Sequence, residues 1–357
     1  MAFEIDFLPV GTNASSGDAI AIRYGNTLLG RTIHVVDGGY ADTAPGLIEH
    51  VRDVYGSSTV HNLILTHADG DHAAGLAEVM RTLDVGTLWM NRPWLYAAEI
   101  IHHFHGNWTV PGLTRYLREQ YPTLVELETI AASRGIPVRE AFQGTRIEEF
   151  TVLAPSRFRY LQLLPDFGKT PERKTTAADG GSVLMELMNK AARAALRWVW
   201  ESWTGETLSE RPEPTTASNE SSVVQMAVID GHQLVLTGDV GPIGLHEAAS
   251  YAELIHGRLA PLFIQVPHHG SRRNVTPSAL NRWLGPVKAQ GAARIGYAFC
   301  SAARLDEDHP RKKVLNAFLR RGYPVDVTNG RSIWCQHGVG RVGEALIPEP
   351  FSPQVEE

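Results

Sequence analysis

Residues 66–72 read Thr-His-Ala-Asp-Gly-Asp-His, so two histidines and two aspartates fall within six positions, directly after the apolar run Leu63, Ile64, Leu65. Acids and bases crowded this closely are unfavourable unless a cation lies among them. Imidazole nitrogen and carboxylate oxygen together suit Zn²⁺, Mn²⁺ or Fe. Three further apolar stretches end on the same side-chain types: LVLTGD on Asp239, IQVPHHGS on His268 and His269, and AFCSAARLDEDHP on His309. Two ions about 3.5–4 Å apart, gathered by such strand ends, make a hydrolytic site. Asp69, Asp71 and Asp239 set roughly −3 against the +4 of two divalent ions, a balance suited to an anionic substrate. Each signal has a plainer reading alone. Residues 67–72 could be a polar loop capping a helix, Asp239 a turn residue, and His309 the start of a helix at Pro310.

The elements that must position these groups are read from periodicity. Residues 3–8, 19–24 and 32–37 alternate as strands. Residues 44–54 have helical spacing, residues 61–66 form a strand buried on both faces, and residues 73–83 form a helix with Leu76, Val79, Met80 and Leu83 on one stripe. A strand at 87–90 follows, then mostly helices over 93–135 and a strand at 148–153. Residues 164–181 are a polar loop leading to a predicted helix over 182–203. A hairpin follows, with strands at 221–229 and 234–239. The last third alternates strands (LFIQVP, RIGYAFC, VDVT) with helices (PSALNRWL, PRKKVLNAFLRRG). The pattern is α/β, with charged loops at strand ends, where such folds place chemistry.

The chain has 357 residues, 43% hydrophobic and 20% charged, with a formal charge of −6 and a pI near 6.2. No global basic field draws nucleic acid to it. Its two cysteines, Cys300 and Cys335, show no ligand spacing, are too few for a disulfide framework and fit a reducing compartment. The opening MAFEIDFLPVG alternates like a strand rather than a signal peptide. No run reaches the ~18 apolar residues of a membrane span. The expectation is a cytoplasmic protein without membrane association.

THADGDH resembles the T-H-x-H-x-D-H signature of the metallo-β-lactamase fold, with aspartate in place of the second histidine. The H-x-D-x-D-H form resembles the metallo-β-lactamase-like domain of DNA-uptake competence proteins and related phosphorylcholine esterases. Other pieces follow in the same order: FLPVG…SGDAIAI, HVVDGG, DHAAGL, FTVLAPS, NESSVV, LVLTGDV and VPHHGS. The resemblance runs from about residue 3 to 340, weakest over 92–135 and 157–215. It implies an αββα sandwich of two mixed sheets with helices outside: one domain over 1–357, with helical insertions at about 92–135 and 157–215.

The resemblance also implies a dinuclear hydrolase of phosphodiester or nuclease type using metal-bound hydroxide. His67, Asp69 and Asp239 would hold one ion. Asp71, His72, Asp239 and one histidine of the His268–His269 pair would hold the other, with His269 preferred as ligand and His268 as a substrate contact. Asp71 and His268 would take part in catalysis, and His309 would protonate or hold the leaving group. Asp18 and Asp37 would orient ligands. Asp69 makes the set oxygen-rich, favouring Mn²⁺ without excluding Zn²⁺. Two departures stand out. Extra residues lie between Gly11 and Gly17, and Asn-Glu-Ser-Ser replaces a histidine before the Gly-Asp strand end, leaving one ion with fewer protein ligands.

Arg272, Arg273 and Lys312, with Arg311 and Lys313, gather beside these motifs and would bind an anionic, phosphate-containing substrate, possible nucleic acid included. A helix starting at Pro310 would turn Val314, Leu315, Phe318 and Leu319 inward and leave Arg311 and Lys312 facing outward. His102, His103 and His105 lack acidic partners and read as surface residues. Trp198, Trp200 and Trp203 read as core or lid packing, and Asp306, Glu307 and Asp308 as solvated. The alternatives are a metal-dependent esterase or amidase on a small molecule, and an inactive scaffold of the same fold.

Overall fold

Phe3, Ile5 and Phe7 alternate along the first strand and turn to one side, with Glu4 and Asp6 on the other. This period of two turns the rings to one layer, while Glu4 and Asp6 on the other face are buried as well. The computed structural model describes residues 1–11, 14–26, 30–174, 198–342 and 346–357. In chain order the strands are β1 (Ala2–Phe7), β2 (Ala19–Asn26), β3 (Gly30–Gly38), β4 (Thr59–Ile64), β5 (Asp84–Trp89), β6 (Val138–Arg139), β7 (Arg146–Ile147), β8 (Phe150–Ala154), β9 (Trp198–Trp200), β10 (Val224–Ile229), β11 (His232–Leu236), β12 (Phe263–Gln265), β13 (Tyr297–Cys300), β14 (Val325–Val327), β15 (Ile333–His337) and β16 (Gln354–Glu356).

One sheet has the order β15-β1-β2-β3-β4-β5-β6 and the other β14-β13-β12-β11-β10-β8-β7, while β16 and β9 form a separate ribbon. Between the sheets, Phe7 packs against Phe263 and Phe299 at ring distances of 5.8 and 5.5 Å. Each such ring contributes about 1.5–3 kcal/mol on burial. On the outer faces, helices over residues 44–49, 76–82, 110–120 and 122–134 cover the first sheet, and those over 242–256, 277–284 and 312–320 cover the second. This is the mixed αββα sandwich expected from the sequence. Among the described residues no helix is long and apolar enough to cross a membrane.

Each sheet is parallel on one side, β3-β4-β5-β6 in the first and β11-β12-β13-β14 in the second. Parallel neighbours put their C-terminal ends on the same rim, where ligands collect in open α/β sheets. Asp37 ends β3, His67 to His72 follow β4, Asp239 follows β11, His268 and His269 follow β12, and His309 follows β13.

Several expectations are corrected. The predicted helix over 182–203 lies outside the described residues as far as 197, and Trp198–Trp200 is a strand paired with Gln354–Glu356. Trp198 and Trp200 are 51% and 71% exposed rather than packed in a core; Trp203 packs on Phe351. The last helix starts at Lys312, not Pro310, with Arg311 as its N-cap, and it is buried nearly all round, including Lys313 and Arg320. The short β16 strand lies against it, which amphipathic spacing within the helix could not reveal. The 93–135 segment is helical as expected, with Leu113, Leu117, Leu124 and Leu127 buried.

Candidate metal centre

Asp239 Oδ2 lies 3.9, 3.4, 3.5 and 3.8 Å from the Nε2 atoms of His67, His72, His268 and His269. His72 is fully buried, and His67, His269 and Asp239 nearly so. Nε2 of His67, His72 and His269, with Oδ1 of Asp239, are buried without a hydrogen-bond partner among the described residues. Such orphaned groups are costly unless something pairs with them. Their spacing is too long for direct hydrogen bonds and leaves room for a cation among them. Three clusters that could hold an ion share His72: His67, His72 and Asp239; Asp71, His72 and His269; and Asp18, Asp37 and His72.

The other nitrogen of each ring is anchored. His72 Nδ1 lies 2.7 Å from Asp37 Oδ2, and Asp37 also accepts from the Thr66 amide (2.8 Å) and hydroxyl (2.7 Å). A carboxylate can only accept, so Nδ1 carries a hydrogen and Nε2 is the nitrogen turned to the centre, with a lone pair for an ion once its own proton has left. His269 Nδ1 lies 3.1 Å from the Ser301 carbonyl, with the same result. Asn274 spends its amide hydrogens on the carbonyls of Asp239 and Val240, leaving Oδ1 2.9 Å from His268 Nδ1.

Local backbone serves this arrangement. His268 and His269 both have positive φ, 47° and 53°, a region non-glycine residues rarely occupy and one that marks functional turns. Gly270 follows at φ +83°, where a Cβ would meet Pro310 at 2.5 Å. Gly75 lets the helix after the motif press on the end of β3; a Cβ there would meet the Gly38 carbonyl at 2.0 Å.

Asp69 flanks His67 at 3.6 Å and accepts from the Ser218 hydroxyl at 2.9 Å. Its side chain makes no cap to the helix over 70–73, which removes the plain capping reading. Asp71 Oδ2 lies 3.7 Å from His72 Nε2 and 3.8 Å from His269 Nε2. Asp18 comes closer to the centre than an orienting role requires: it clusters with Asp239 and His269, and its Oδ1 is buried without a partner.

The electrostatics describe a site built for positive charge. Burial opposes charging the histidines, yet Asp239 and Asp37 hold His72 well above its ordinary range, and Asp239 with Asp71 and Asp18 holds His269 up at about 9. Burial also opposes ionising Asp239, but His268, His72 and His269 hold it well below the usual carboxylate range. For His268 burial wins, pushing it down. Asp18 is pushed up, burial being the main cause.

The metallo-beta-lactamase superfamily model matches residues 16–290. The chain belongs to that superfamily. No curated protein matches the sequence. Solved structures of similar shape include YhfI, a metallo-beta-lactamase fold protein from Bacillus subtilis, with 10% identity and a TM-score of 0.39 over 93% of this chain and 99% of that one. A diphosphatase from the PhnP family has 9% identity and a TM-score of 0.38 over 98% and 100%. The hydrolase AbOPH has 13% identity and a TM-score of 0.33 over 66% and 70%. These scores are too low to carry an argument about chemistry. Members of the superfamily are generally metal-dependent hydrolases that bind divalent ions, mostly zinc, and the buried histidine and aspartate atoms here fit such ions.

The basic rim departs from expectation. Arg273 pairs with Glu213, and Arg311 with Asp308 at 2.6 Å. Lys312 lies 4.9 Å over the Trp198 ring, and its amide, at the helix start, donates to Glu356 at 2.9 Å. The helix terminus predicted to meet substrate is thus filled by the chain's own carboxylate. Of the three predicted contacts, only the Arg273 side chain has an ion pair among the described residues; that of Lys312 meets the Trp198 ring, and that of Arg272 has neither. His102 and His105 are exposed, and His103 half-buried, apart from the clustered ligands.

His309 stacks on His268 with ring centroids 5.7 Å apart. Asp306 is not solvated: it accepts from Ser16 and lies against His309. Sequence reading also missed Gln265, which accepts from the Thr237 and Gly238 amides and donates to Asp18 at 2.8 Å. A glutamine inside the apolar run FIQV was the available signal.

Proposed function

We propose that this superfamily hydrolase is a dinuclear phosphodiesterase, with His67, Asp69 and Asp239 on one ion and Asp71, His72, Asp239 and His269 on the other. The observation that carries the reading is the single carboxylate oxygen, Asp239 Oδ2, within 3.4–3.9 Å of four imidazole nitrogens. Ions bound there would acidify a coordinated water toward a pKa of about 7 and offset substrate charge. Asp37 and the Ser301 carbonyl orient the ligand rings. His268, half-open at 24% exposure, is the substrate contact, and His309 stands beside it on the leaving-group side. Arg272, without an ion pair or hydrogen bond among the described residues, is the cation that would meet a phosphate. The resemblance of VPHHGS and the H-x-D-x-D-H form to the competence-protein branch supports the phosphodiester substrate. The oxygen-rich Asp69 position supports Mn²⁺ beside Zn²⁺.

A second reading, an esterase or amidase on a small neutral molecule, is favoured by the internally paired rim at Arg273, Arg311 and Lys312. The test is hydrolysis by metal-free protein reloaded with Zn²⁺, Mn²⁺, Mg²⁺ or Co²⁺, assayed on single-stranded and duplex DNA, RNA, cyclic nucleotides, a generic phosphodiester and a neutral ester. Turnover confined to the neutral ester rejects the phosphodiesterase reading. Failure to retain any ion favours an inactive scaffold.

A further inference from the structure

Asp306 directly precedes the exposed Glu307 and Asp308, yet its carboxylate is 6% exposed. Oδ1 accepts from the amides of Asp308 and His309 at 2.9 and 3.0 Å. Oδ2 accepts from the Ser16 hydroxyl at 2.6 Å and lies 3.3 Å from His309 Nδ1. Ser16, 290 positions away in the sequence, also accepts from the Ala303 amide at 3.0 Å. Burial opposes ionisation, but the His309 and Ser16 bonds hold Asp306 well below the usual carboxylate range. A carboxylate only accepts, so His309 Nδ1 must carry a hydrogen. The same holds whether or not the ring is charged, so its orientation is fixed in both states. Nε2 is left without a partner among the described residues, on a ring that stacks on His268 (5.7 Å, 23°) and stands edge-on to His269 (6.3 Å, 76°).

We propose that Asp306 is a positioning residue acting through His309: it holds the imidazole by Nδ1 and leaves Nε2 to hydrogen-bond the oxygen that departs from the substrate. The leaving oxygen rests on the phosphodiesterase reading above; the fixed tautomer does not. Ser16 completes the clamp by tying the loop before β2 to the loop after β13.

The experiment uses metal-loaded protein and two readouts. Nitrogen-15 spectra assign the His309 tautomer, with His309→Ala identifying its signals. Wild type should carry hydrogen on Nδ1, and Asp306→Asn, which can offer an N–H instead, should move it to Nε2. Kinetics then compare an alkyl and a nitrophenyl phosphodiester. Asp306→Asn should lower kcat on the alkyl ester about 10²-fold and much less on the nitrophenyl ester, with KM and metal content unchanged. In a His309→Ala background the same substitution should change kcat less than about twofold. Ser16→Ala, which removes only the second clamp, should cost about fivefold or less. Hydrogen on Nε2 in wild type overturns the proposal. So does an equal effect of Asp306→Asn with and without His309, or a Ser16→Ala loss that matches it. If wild type hydrolyses neither ester, the phosphodiesterase reading fails and the nitrogen spectra still decide the positioning.

Discussion

The metal centre and the basic rim beside it carry charge in opposite ways. At the centre, polar atoms are buried and unpaired: three imidazole Nε2 atoms and two carboxylate oxygens, of Asp239 and Asp18, have no hydrogen-bond partner among the described residues. On the rim, Arg273, Arg311 and Lys312 are each answered by Glu213, Asp308 or the Trp198 ring. A group left unpaired at the cost of its desolvation signals that something else completes it. A surface charge answered by a neighbour contributes little and signals little. Clustering of like residues in a sequence is therefore weak evidence for binding, and unmet hydrogen-bonding capacity in the fold is stronger.

Asp239→Asn should break the contrast most severely. It is nearly isosteric but removes the charge all four histidines face. Hydrolysis should fall to background and elemental analysis should show loss of bound ion, whereas Arg273→Ala should change neither. Retention of a full complement of metal by Asp239→Asn would show that the four-histidine geometry is a packing feature.

A smaller effect is expected in stability against pH. His72 and His269 are raised in the folded protein, His269 to about 9. A raised group stabilises fully below its unfolded value, about 6.5 for histidine, and the contribution is lost as pH rises through the folded value. Asp69, Asp71 and Asp239 are lowered, so their contribution is present above about 3.9 and lost as pH falls. Chelator-treated protein should therefore be most stable between about pH 4 and 6.5, losing on the order of 3 kcal/mol from His269 alone by pH 9 and above. Added Zn²⁺ or Mn²⁺ should restore stability at pH 8–9, because the ion replaces protons at the same atoms and binds better as they leave. Thermal melts of the metal-free protein that are equal at pH 6 and 9 would contradict this.

The centre was legible in the sequence because its residues follow apolar runs, and apolar runs fix strands. Once β3, β4, β11, β12 and β13 are parallel in their sheets, Asp37, His67, Asp239, His269 and His309 share a rim with no further information. What was not legible depended on partners distant in sequence. Asp306 reads as one of three solvated acids in Asp-Glu-Asp until Ser16 is seen beside it. Lys312 reads as a free cation until Glu356 and Trp198 arrive from the β16–β9 ribbon. Periodicity reports which face of an element is buried. It does not report which distant segment covers that face.

Arg272 offers the finest test of the comparison, because it lies on the rim yet has no ion pair or hydrogen bond among the described residues. It follows His269 by three positions, and it adds to burial in pushing the Lys313 ammonium down, which places the two cations within reach of each other. Lys313 is nearly buried, so an anion meeting this pair would encounter Arg272 first. If unmet capacity marks function here as it does at the centre, Arg272→Ala should raise KM for an anionic phosphodiester on the order of tenfold, the worth of a hydrogen bond to a charged group. Arg273→Ala and Lys312→Ala should stay within about twofold, since neutralising an answered surface charge costs little. With a nucleic-acid substrate the Arg272 variant should also show a salt dependence flatter by about 0.7–0.9 for its one lost phosphate contact. A neutral ester should not distinguish the three variants. Equal KM changes across all three on the anionic substrate would return the rim to an undifferentiated positive field. No change in any of them would leave substrate charge to the metal centre alone and favour the small neutral ester.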